Sequence, residues 1–418
     1  MTNIEKYIAR QTFLPPVFKN TLAEDVGLVI TIPAYAEEDL LVSLQSLKSC
    51  DLPSVGVEVV VIINHPIQAE EFLKEANKRI SEKAQQWAIE NSVDGLQFLV
   101  SIPIELPKKH AGAGLARKIA MDEAVVRLQK SVYGNPIIAC FDADATCSEN
   151  YLITCVKHFK ENPKSLACSV NFEHPISTQS TFLNEGIIQY ELHLRYYQAA
   201  LVYARHPQAE FTVGSSMAVT RNAYVAQGGM NRRKAGEDFW FMLKLMMAGE
   251  ISAITSATVY PSARESFRVP FGTGRAMSEM TEKEDNTYFT APFESFKRLK
   301  VFLSQVDDLY EKEVEIADEL TFRFLESVNW TETIAEIKDY TTDKGSFIKR
   351  FYRWFNLFMV MKYFHFLRDH GVPDVPVVQQ SKQVLYLLGL ENEGENSVAI
   401  LKKFRAKKRV QSNDYTLS

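Results

Sequence analysis

The chain has 418 residues, of which 46% are hydrophobic, 24% charged and 11% aromatic, which suits one large domain with an appendage or two domains. A net charge of −5 gives no global reason to expect a nucleic acid partner. There is no signal-peptide pattern, no run of about 18 apolar residues, and no zinc spacing among the five cysteines. We therefore expect a cytoplasmic protein with reduced thiols.

The first 170 residues alternate short apolar runs with amphipathic stretches. The apolar runs, at 27–33, 57–63, 96–102 and 136–142, predict strands, and the stretches at 37–49, 67–91 and 113–130 predict helices. Nearly continuous apolar character is typical of parallel strands that are buried on both faces. The alternation predicts a doubly wound α/β sheet, in which ligands bind at the carboxyl ends of the strands.

The later part of the chain is increasingly helical. Segment 177–205 predicts a long helix, 210–220 a strand with a glycine break, and 236–249 another helix. After about residue 285 the strand patterns disappear. The sequence therefore predicts two domains, 1–285 with the sheet and 286–418 as an all-helical C-terminal extension.

Two basic segments in the C-terminal part allow contact with a membrane. Segment 346–369 is basic and aromatic at first and then apolar on all sides. It could lie in the interface of the inner membrane face, but its apolar second half favours burial in a helical domain or in a homo-oligomer interface. The basic stretch 402–409 either touches anionic headgroups or is a solvated terminus.

Two aspartates, Asp142 and Asp144, follow the fourth predicted strand. Side chains at i and i+2 of a strand point the same way, so the carboxylates should converge. Their repulsion is relieved by a cation or by protonation, and Mg²⁺ or Mn²⁺ prefers such oxygen ligands. The alternative is that Asp142 ends the strand while Asp144 or Ser148 caps a helix.

Other strand ends carry further candidate groups. Pro33 and Ala34 end the first predicted strand, and Glu37 lies near the start of the next helix, where it either binds a ligand or complements the helix dipole. A basic loop, 108–110, precedes a helix that contains Arg117. Such a loop suits phosphate oxygens, or it is simply solvated.

An acidic pair, Glu237 and Asp238, begins a predicted helix and is followed by the aromatic run 239–241. Acids at a helix N-terminus are stabilised by the dipole, which would explain them without a function. Alternatively, the pair supplies a general base at the edge of an aromatic-lined pocket, where partial desolvation would raise its pKa. Farther on, segment 260–280 places several arginines around a Gly-Thr-Gly turn, suited to a departing diphosphate or to a basic surface loop.

Taken in order, these segments resemble a family 2 glycosyltransferase with the GT-A fold, over about residues 26 to 262. The matching residues are Pro33, Tyr35, Glu37 and Glu38 of the first strand end, Ala116 and Arg117, the D-x-D pair Asp142 and Asp144, Gly214 to Ala218, Gly228 and Gly229, and the pair Glu237 and Asp238.

The resemblance implies an inverting enzyme that moves a sugar from a UDP- or GDP-type nucleotide-diphosphate sugar to a hydroxyl of a carbohydrate or glycolipid. Asp238 would be the base beside Glu237, and Asp142 and Asp144 would position Mn²⁺ or Mg²⁺. The implied donor-binding residues are Pro33, Ala34, Tyr35, Glu37, Asn64, Arg117, Asp142, Arg268 and Arg275, and the implied acceptor-binding residues are Gly214, Ser215, Ser216 and Trp240.

The sequence departs from the family pattern at two places. Ala36 stands where the family usually has Asn, and Asn64, His65 and Pro66 replace the acids that usually hold the nucleotide base and ribose. The Q-x-x-R-W motif of processive membrane synthases is missing. Two alternatives stay open: a non-catalytic glycosyltransferase-like scaffold, and a sugar-phosphate nucleotidyltransferase, whose Gly-rich loop the turn at 33–39 lacks.

Overall fold

The computed structural model of the protein describes residues 1–176, 180–210, 213–234, 236–265, 272–390, 394, 396–411 and 414. The strands are β1 (Val26–Ala34), β2 (Gly56–Pro66), β3 (Leu96–Val100), β4 (Ile104–Leu106), β5 (Ile137–Cys140), β6 (Thr146–Cys147), β7 (Ala167–Phe172), β8 (Met217–Thr220), β9 (Ile251–Tyr260), β10 (Phe289–Thr290) and β11 (Val375–Pro376).

The helices are α1 (Asn3–Arg10), α2 (Leu40–Lys48), α3 (Glu71–Asn91), α4 (Ala113–Arg127), α5 (Tyr151–Glu161), α6 (Thr181–Tyr203), α7 (Arg221–Ala226), α8 (Glu237–Ala248), α9 (Thr273–Lys283), α10 (Phe293–Ser304), α11 (Val306–Leu309), α12 (Glu319–Ser327), α13 (Trp330–Asp339), α14 (Lys344–Trp354), α15 (Leu357–Asp369), α16 (Val377–Leu387) and α17 (Ser397–Lys407). None of the helices in the described ranges is both long and apolar enough to cross a membrane.

The chain divides into two compact units, of which the first comprises 1–175 and 212–278 and the second comprises 176–211 and 279–418. Helix α6 lies in the second unit, where it packs against α16 and α17. The domain boundary that the sequence predicted at residue 285 stays a prediction, because α6 precedes it in the chain and yet packs with the C-terminal helices.

The first unit is built on a mixed sheet with the strand order β3-β2-β1-β5-β8-β7-β9-β6, and β4 pairs with β2. Strands β3, β2, β1 and β5 run parallel, whereas β8 is antiparallel to both β5 and β7. The four predicted strands and the three helices between them are confirmed. The predicted strand 210–220 was too long, since residues 214–216 form a turn and, among the described residues of this segment, only Met217–Thr220 form a strand.

Alternation along β1 shows how the sheet is covered on both faces. Leu28, Ile30 and Ile32 face a core cluster that includes residues of α2, α3 and α5, whereas Val29 faces a second cluster with residues of α4 and α8. Each fully buried aliphatic side chain of this kind contributes roughly 1.5–3 kcal/mol. The α/β class of the prediction is confirmed, and both faces of the sheet are closed by helices.

The N-terminal segment is fastened to α4 by two acidic side chains. The Tyr7 hydroxyl donates to Asp122 at 2.7 Å, and the backbone N–H of Phe13 donates to the same carboxylate at 3.1 Å. The N–H of Val17 donates to Glu123 at 2.7 Å. Since both carboxylates are buried, these hydrogen bonds satisfy groups that would otherwise be costly to desolvate.

The second unit is helical, as predicted, with one small exception. Strands β10 and β11 form a two-residue antiparallel pair, which is too short to leave a period-2 pattern in the sequence. The segment 346–369 also differs from the single helix predicted there. It forms α14 and α15, because the Asn356 side chain accepts from the N–H groups of Phe358 and Met359 and starts a new helix.

The aromatic side chains of α14 and α15 lie inside the second unit. Phe347, Phe351 and Phe355 are fully buried, as are Val360 and Leu367. This agrees with the prediction that the apolar part of segment 346–369 is buried in a helical domain.

Candidate active site

Four chain segments of the first unit meet at one edge of the sheet. Strands β1, β2 and β5 are parallel and end there, and β8 begins there because Cys140 pairs with Met217 in the antiparallel ladder. Asp142 and Asp144 therefore follow β5 beside the turn 214–216 that leads into β8. The predicted site residues of these segments converge because the strands that carry them end or begin at the same edge of the sheet.

Arg117 is the centre of this convergence. Its guanidinium donates to Asp142 Oδ1 at 2.9 Å, to Glu237 Oε1 at 3.2 Å and to the carbonyl oxygen of Gly214 at 2.9 Å. The side chain is only 5% exposed. Arg117 thus ties α4, the end of β5, the turn before β8 and the start of α8 into one rigid arrangement.

The acidic pair at the start of α8 has perturbed protonation. Burial raises the pKa of Glu237, and the Arg117 guanidinium opposes that shift. Burial also raises the pKa of the half-buried Asp238, again against the pull of Arg117. Although burial disfavours the charged guanidinium, the carboxylates of Asp142 and Glu237 hold the pKa of Arg117 well above its usual value. A carboxylate with a raised pKa next to a permanent cation is suited to accept a proton.

Gly214 closes the space between Arg117 and Asp238. A Cβ atom at this position would lie 2.7 Å from Nη2 of Arg117 and 3.4 Å from Oδ2 of Asp238. Glycine is therefore required by the close approach of the guanidinium, and the carboxylate of Asp238 lies beside the same backbone. The structure brings this predicted acceptor-side residue together with the predicted base.

Of the other predicted acceptor-side residues, Ser215 and Ser216 follow Gly214 directly, and Trp240 lies in the first turn of α8. Ser215 and Ser216 are buried, and the Ser215 hydroxyl has no hydrogen-bond partner among the described residues. Trp240 follows Asp238 by two positions in α8, and the Arg233 guanidinium stacks over its ring at 4.3 Å from the centroid. An aromatic face of this kind suits the apolar face of a sugar ring.

A second arginine, Arg264, binds the other aspartate of the D-x-D pair. Its guanidinium contacts Asp144 at 3.0 Å, Asp39 at 3.1 Å and the buried carboxylate of Glu37. Strands β6 and β9 pair, with Thr146 opposite Tyr260. Because Asp144 just precedes β6 and Arg264 just follows β9, this pairing brings the two residues together. The sequence placed Arg264 in an arginine-containing segment without assigning it to these acids, since only the sheet topology brings them together.

The two aspartates fit a divalent cation only in part. No group of three or more His, Cys, Asp or Glu side chains in the described ranges could hold a metal ion by itself. Each aspartate already has a guanidinium partner, Arg117 for Asp142 and Arg264 for Asp144. Two carboxylates are nevertheless the ligand set with which Mg²⁺ is commonly held when substrate phosphates and water supply the other oxygens.

The ends of β1 and β2 are joined by amide side chains. Asn64 Nδ2 donates to the carbonyl of Ala34 at 3.0 Å. The buried Asn77 of α3 accepts from the N–H of Ala36 at 2.8 Å and donates to the carbonyl of Asn64 at 2.9 Å. Asn64 thus supports the turn after β1, and its predicted contact with a nucleotide base stays a prediction.

Asn77 was not predicted from the sequence, although a signal was present. It is an amide on the buried face of a helix, and buried amides need partners. Its partner Ala36 has φ = 46°, in the left-handed region that non-glycine residues seldom adopt. Asn tolerates this region better than Ala, which gives a physical reason for the Asn that the family usually has there.

The remaining donor-side residues are placed as follows. Pro33 and Tyr35 are half-buried and Ala34 is buried, all at the end of β1. Arg275 is half-buried in the first turn of α9. Arg268 lies outside the described residues, so its predicted contact with the donor phosphates stays a prediction.

Residues 137–282 match the family model described as glycosyl transferase family group 2. A search of curated proteins found no match. Among solved structures, S. aureus TarS 1-349 in complex with UDP-GlcNAc aligns at 17% identity over 93% of this chain and 89% of that chain, with a TM-score of 0.37. S. aureus TarS 1-349 in complex with UDP aligns at 16% identity over 89% and 98%, also with a TM-score of 0.37.

The match to the family model lies within residues 137–282. That segment contains Asp142, Asp144, Gly214, Glu237 and Asp238, which carried the resemblance in the sequence. Residues 137–282 therefore match the glycosyltransferase family that the sequence predicted.

Proposed function

We propose that the chain is an inverting, metal-dependent glycosyltransferase that uses a nucleotide-diphosphate sugar, with Asp238 as the base. The observation that carries the proposal is the position of Asp238 beside Arg117, with a pKa raised by burial, at the sheet edge where Asp142 also lies. This arrangement puts a proton acceptor and a phosphate-side group at one sheet edge.

In this proposal Asp238 removes the proton of the acceptor hydroxyl while the hydroxyl oxygen attacks the anomeric carbon. The bond from that carbon to the donor diphosphate breaks, and the nucleotide diphosphate leaves with the electron pair. Attack from the face opposite to the leaving group inverts the anomeric configuration. Burial raises the pKa of Asp238, the Arg117 guanidinium opposes that rise, and Arg117 also fixes Glu237 and Asp142.

Asp142 and Asp144 would hold Mn²⁺ or Mg²⁺. When bound, such a cation neutralises charge on the leaving diphosphate. Arg264 contacts Asp144, Asp39 and Glu37, and it thus lies among the acids that the donor phosphates would approach. Its guanidinium is a suitable partner for phosphate oxygens, together with Arg268 and Arg275.

For the rest of the substrate, we assign Pro33, Ala34, Tyr35 and Asn64 to the nucleotide side, and Gly214 to Ser216 with Trp240 to the acceptor side. The five free cysteines support a reducing, cytoplasmic location. Contact with a membrane surface and a homo-oligomer stay predictions of the sequence.

The test is transfer from UDP-, GDP- and dTDP-sugars, scored by release of the nucleotide diphosphate with and without Mn²⁺. Asp238→Asn should abolish turnover and leave nucleotide binding intact, because the amide cannot accept the proton. Retained turnover in this variant would remove Asp238 from the role of base. Loss of nucleotide binding as well would show a structural rather than a chemical effect.

A non-catalytic scaffold is the second candidate, and two observations favour it. Arg264 already contacts Asp144, one of the two aspartates that would hold a metal. Asn64, which stands where the family usually has base-binding acids, donates its Nδ2 hydrogen to the Ala34 carbonyl. Thermal unfolding in the presence of UDP, GDP and dTDP, each with and without Mn²⁺, separates the candidates. A scaffold without a donor site should show no rise in Tm with any nucleotide.

A further inference from the structure

Two short basic stretches that are far apart in the sequence meet on the surface of the first unit. They are Lys108, Lys109 and His110 before α4, and Arg232, Arg233 and Lys234 before α8, and we call them together the basic patch. The glycines that follow the first stretch allow the meeting. A Cβ on Gly112 would lie 2.9 Å from Cα of Lys234, and a Cβ on Gly114 would collide with the carbonyl oxygen of Arg233.

The basic patch is an exposed cluster of cations. Both lysines of the first stretch and all three cations of the second are exposed. Among the described residues none of these five forms an ion pair with a carboxylate. Their recorded contacts are aromatic instead, with Arg233 over Trp240 at 4.3 Å and Arg232 over Phe13 at 5.9 Å. Five such charges on a chain with a net charge of −5 are a local excess that attracts anions.

The basic patch borders the proposed base. A Cβ on Gly114 would also lie 3.0 Å from Cβ of Glu237, the neighbour of Asp238. Arg233 lies on Trp240, one turn or less beyond Asp238 in α8. The backbone of the basic patch therefore lies close to the start of α8, the turn of helix that carries Asp238.

We propose that the basic patch binds phosphate groups of the acceptor, so that the acceptor is a phosphate-bearing polyanion in which a hydroxyl next to the phosphates reaches Asp238. The role of the bound molecule as acceptor rests on the proposed function, whereas the expected binding of polyphosphate to the patch does not. Lysine and arginine form charge-assisted hydrogen bonds with phosphate oxygens, and these weaken with ionic strength because the patch is exposed.

The test uses short-chain inorganic polyphosphate as the probe and calorimetry on the full chain. The triple variant Lys108→Glu/Lys109→Glu/Lys234→Glu should weaken binding by about tenfold or more, because each reversal replaces an attraction by a repulsion. The matched control is Lys78→Glu/Lys83→Glu/Lys164→Glu, which reverses three exposed lysines outside the patch. Equal affinity of the two triple variants for polyphosphate would overturn the proposal.

Fluorescence places the bound anion. Polyphosphate should change the emission of the native chain, and Trp240→Phe should remove that change, since of the four tryptophans only Trp240 lies under the Arg233 guanidinium. Binding with no change in Trp240 emission would put the anion away from Asp238 and overturn the acceptor assignment.

Vesicles separate the acceptor from a lipid surface. Patch-dependent binding to phosphatidylglycerol vesicles without binding to polyphosphate would overturn the proposal in favour of a membrane contact. Donor hydrolysis and nucleotide-dependent thermal stabilisation, measured on the same variants, report on the proposed function separately. Their failure with intact polyphosphate binding would remove the transferase mechanism and leave the anion site.

Discussion

Arg117 and Arg264 each hold one aspartate of the same D-x-D pair, yet they do so in opposite surroundings. The Arg117 side chain is 5% exposed and donates to two side chains and one backbone carbonyl on different elements. The Arg264 side chain is 36% exposed and contacts three carboxylates beyond the end of β9. Burial makes the first a fixed part of the architecture, whereas solvent access leaves the second displaceable by a substrate.

The largest effect should come from Arg117→Met. It leaves the buried Glu237 without its cation, and breaking a buried ion pair from one side typically costs about 3–5 kcal/mol. Urea unfolding of the variant should show a loss in the free energy of unfolding of this order. A loss no larger than that of Arg264→Met would break the contrast between the two arginines.

Gly214→Ala should have the next largest effect. The added methyl must displace the Arg117 guanidinium, and crowding of this kind typically costs about 1–3 kcal/mol. Transfer should fall with stability, because Asp142 and Asp238 lose their fixed positions. Gly134→Ala is the matched control, since a Cβ there meets nothing within 4 Å. Its unfolding free energy should be unchanged or slightly higher, and a similar loss at both glycines would contradict this account.

Arg264→Met should lower the free energy of unfolding by less than Arg117→Met does, because water reaches the Arg264 side chain, 36% exposed, even though its partner Glu37 is buried. It should strengthen binding of Mn²⁺ alone, measured by calorimetry, because Asp144, Asp39 and Glu37 lose their internal cation. Weaker or unchanged Mn²⁺ binding would show that Arg264 does not compete with a metal for these acids.

Ala36→Gly should have the smallest effect and an opposite sign. The positive φ of this residue costs an L-amino acid about 1–2 kcal/mol, part of which glycine regains and part of which it loses as chain entropy. We expect a gain of a few tenths of a kcal/mol, up to about 1 kcal/mol, in urea unfolding. Ala36→Val, with a branched side chain in the same backbone, should be destabilising, and a stable valine variant would contradict the strain.

Much of the first unit could be predicted from local patterns. The continuous β-branched runs at 27–33 and 57–63 identify β1 and β2, because strands buried on both faces leave no polar alternation. The motif positions around Asp142 and Asp238 could be found because each lies at a strand end or a helix start. These are signals of a few consecutive residues.

What could not be predicted depends on residues far apart in the chain. Glu37 and Arg264 are 227 residues apart, and only the pairing of β6 with β9 brings them together. Gly112 and Lys234 are also far apart in the chain. The sequence around Gly112 suggested a phosphate-binding loop, whereas in the structure Gly112 makes room for the backbone at Lys234. Helix α6 likewise gives no local sign that it packs with α16 and α17.

The fastening of the N-terminal segment has a consequence for the order of synthesis. Tyr7 and its acceptor Asp122 are 115 residues apart, so the first helix leaves the ribosome well before its partner exists. At about 5–20 residues per second the delay is roughly 6 to 23 s. During that time α1 is an eight-residue helix, too short to be stable alone. The first helix therefore cannot make its final contacts until α4 has been synthesised.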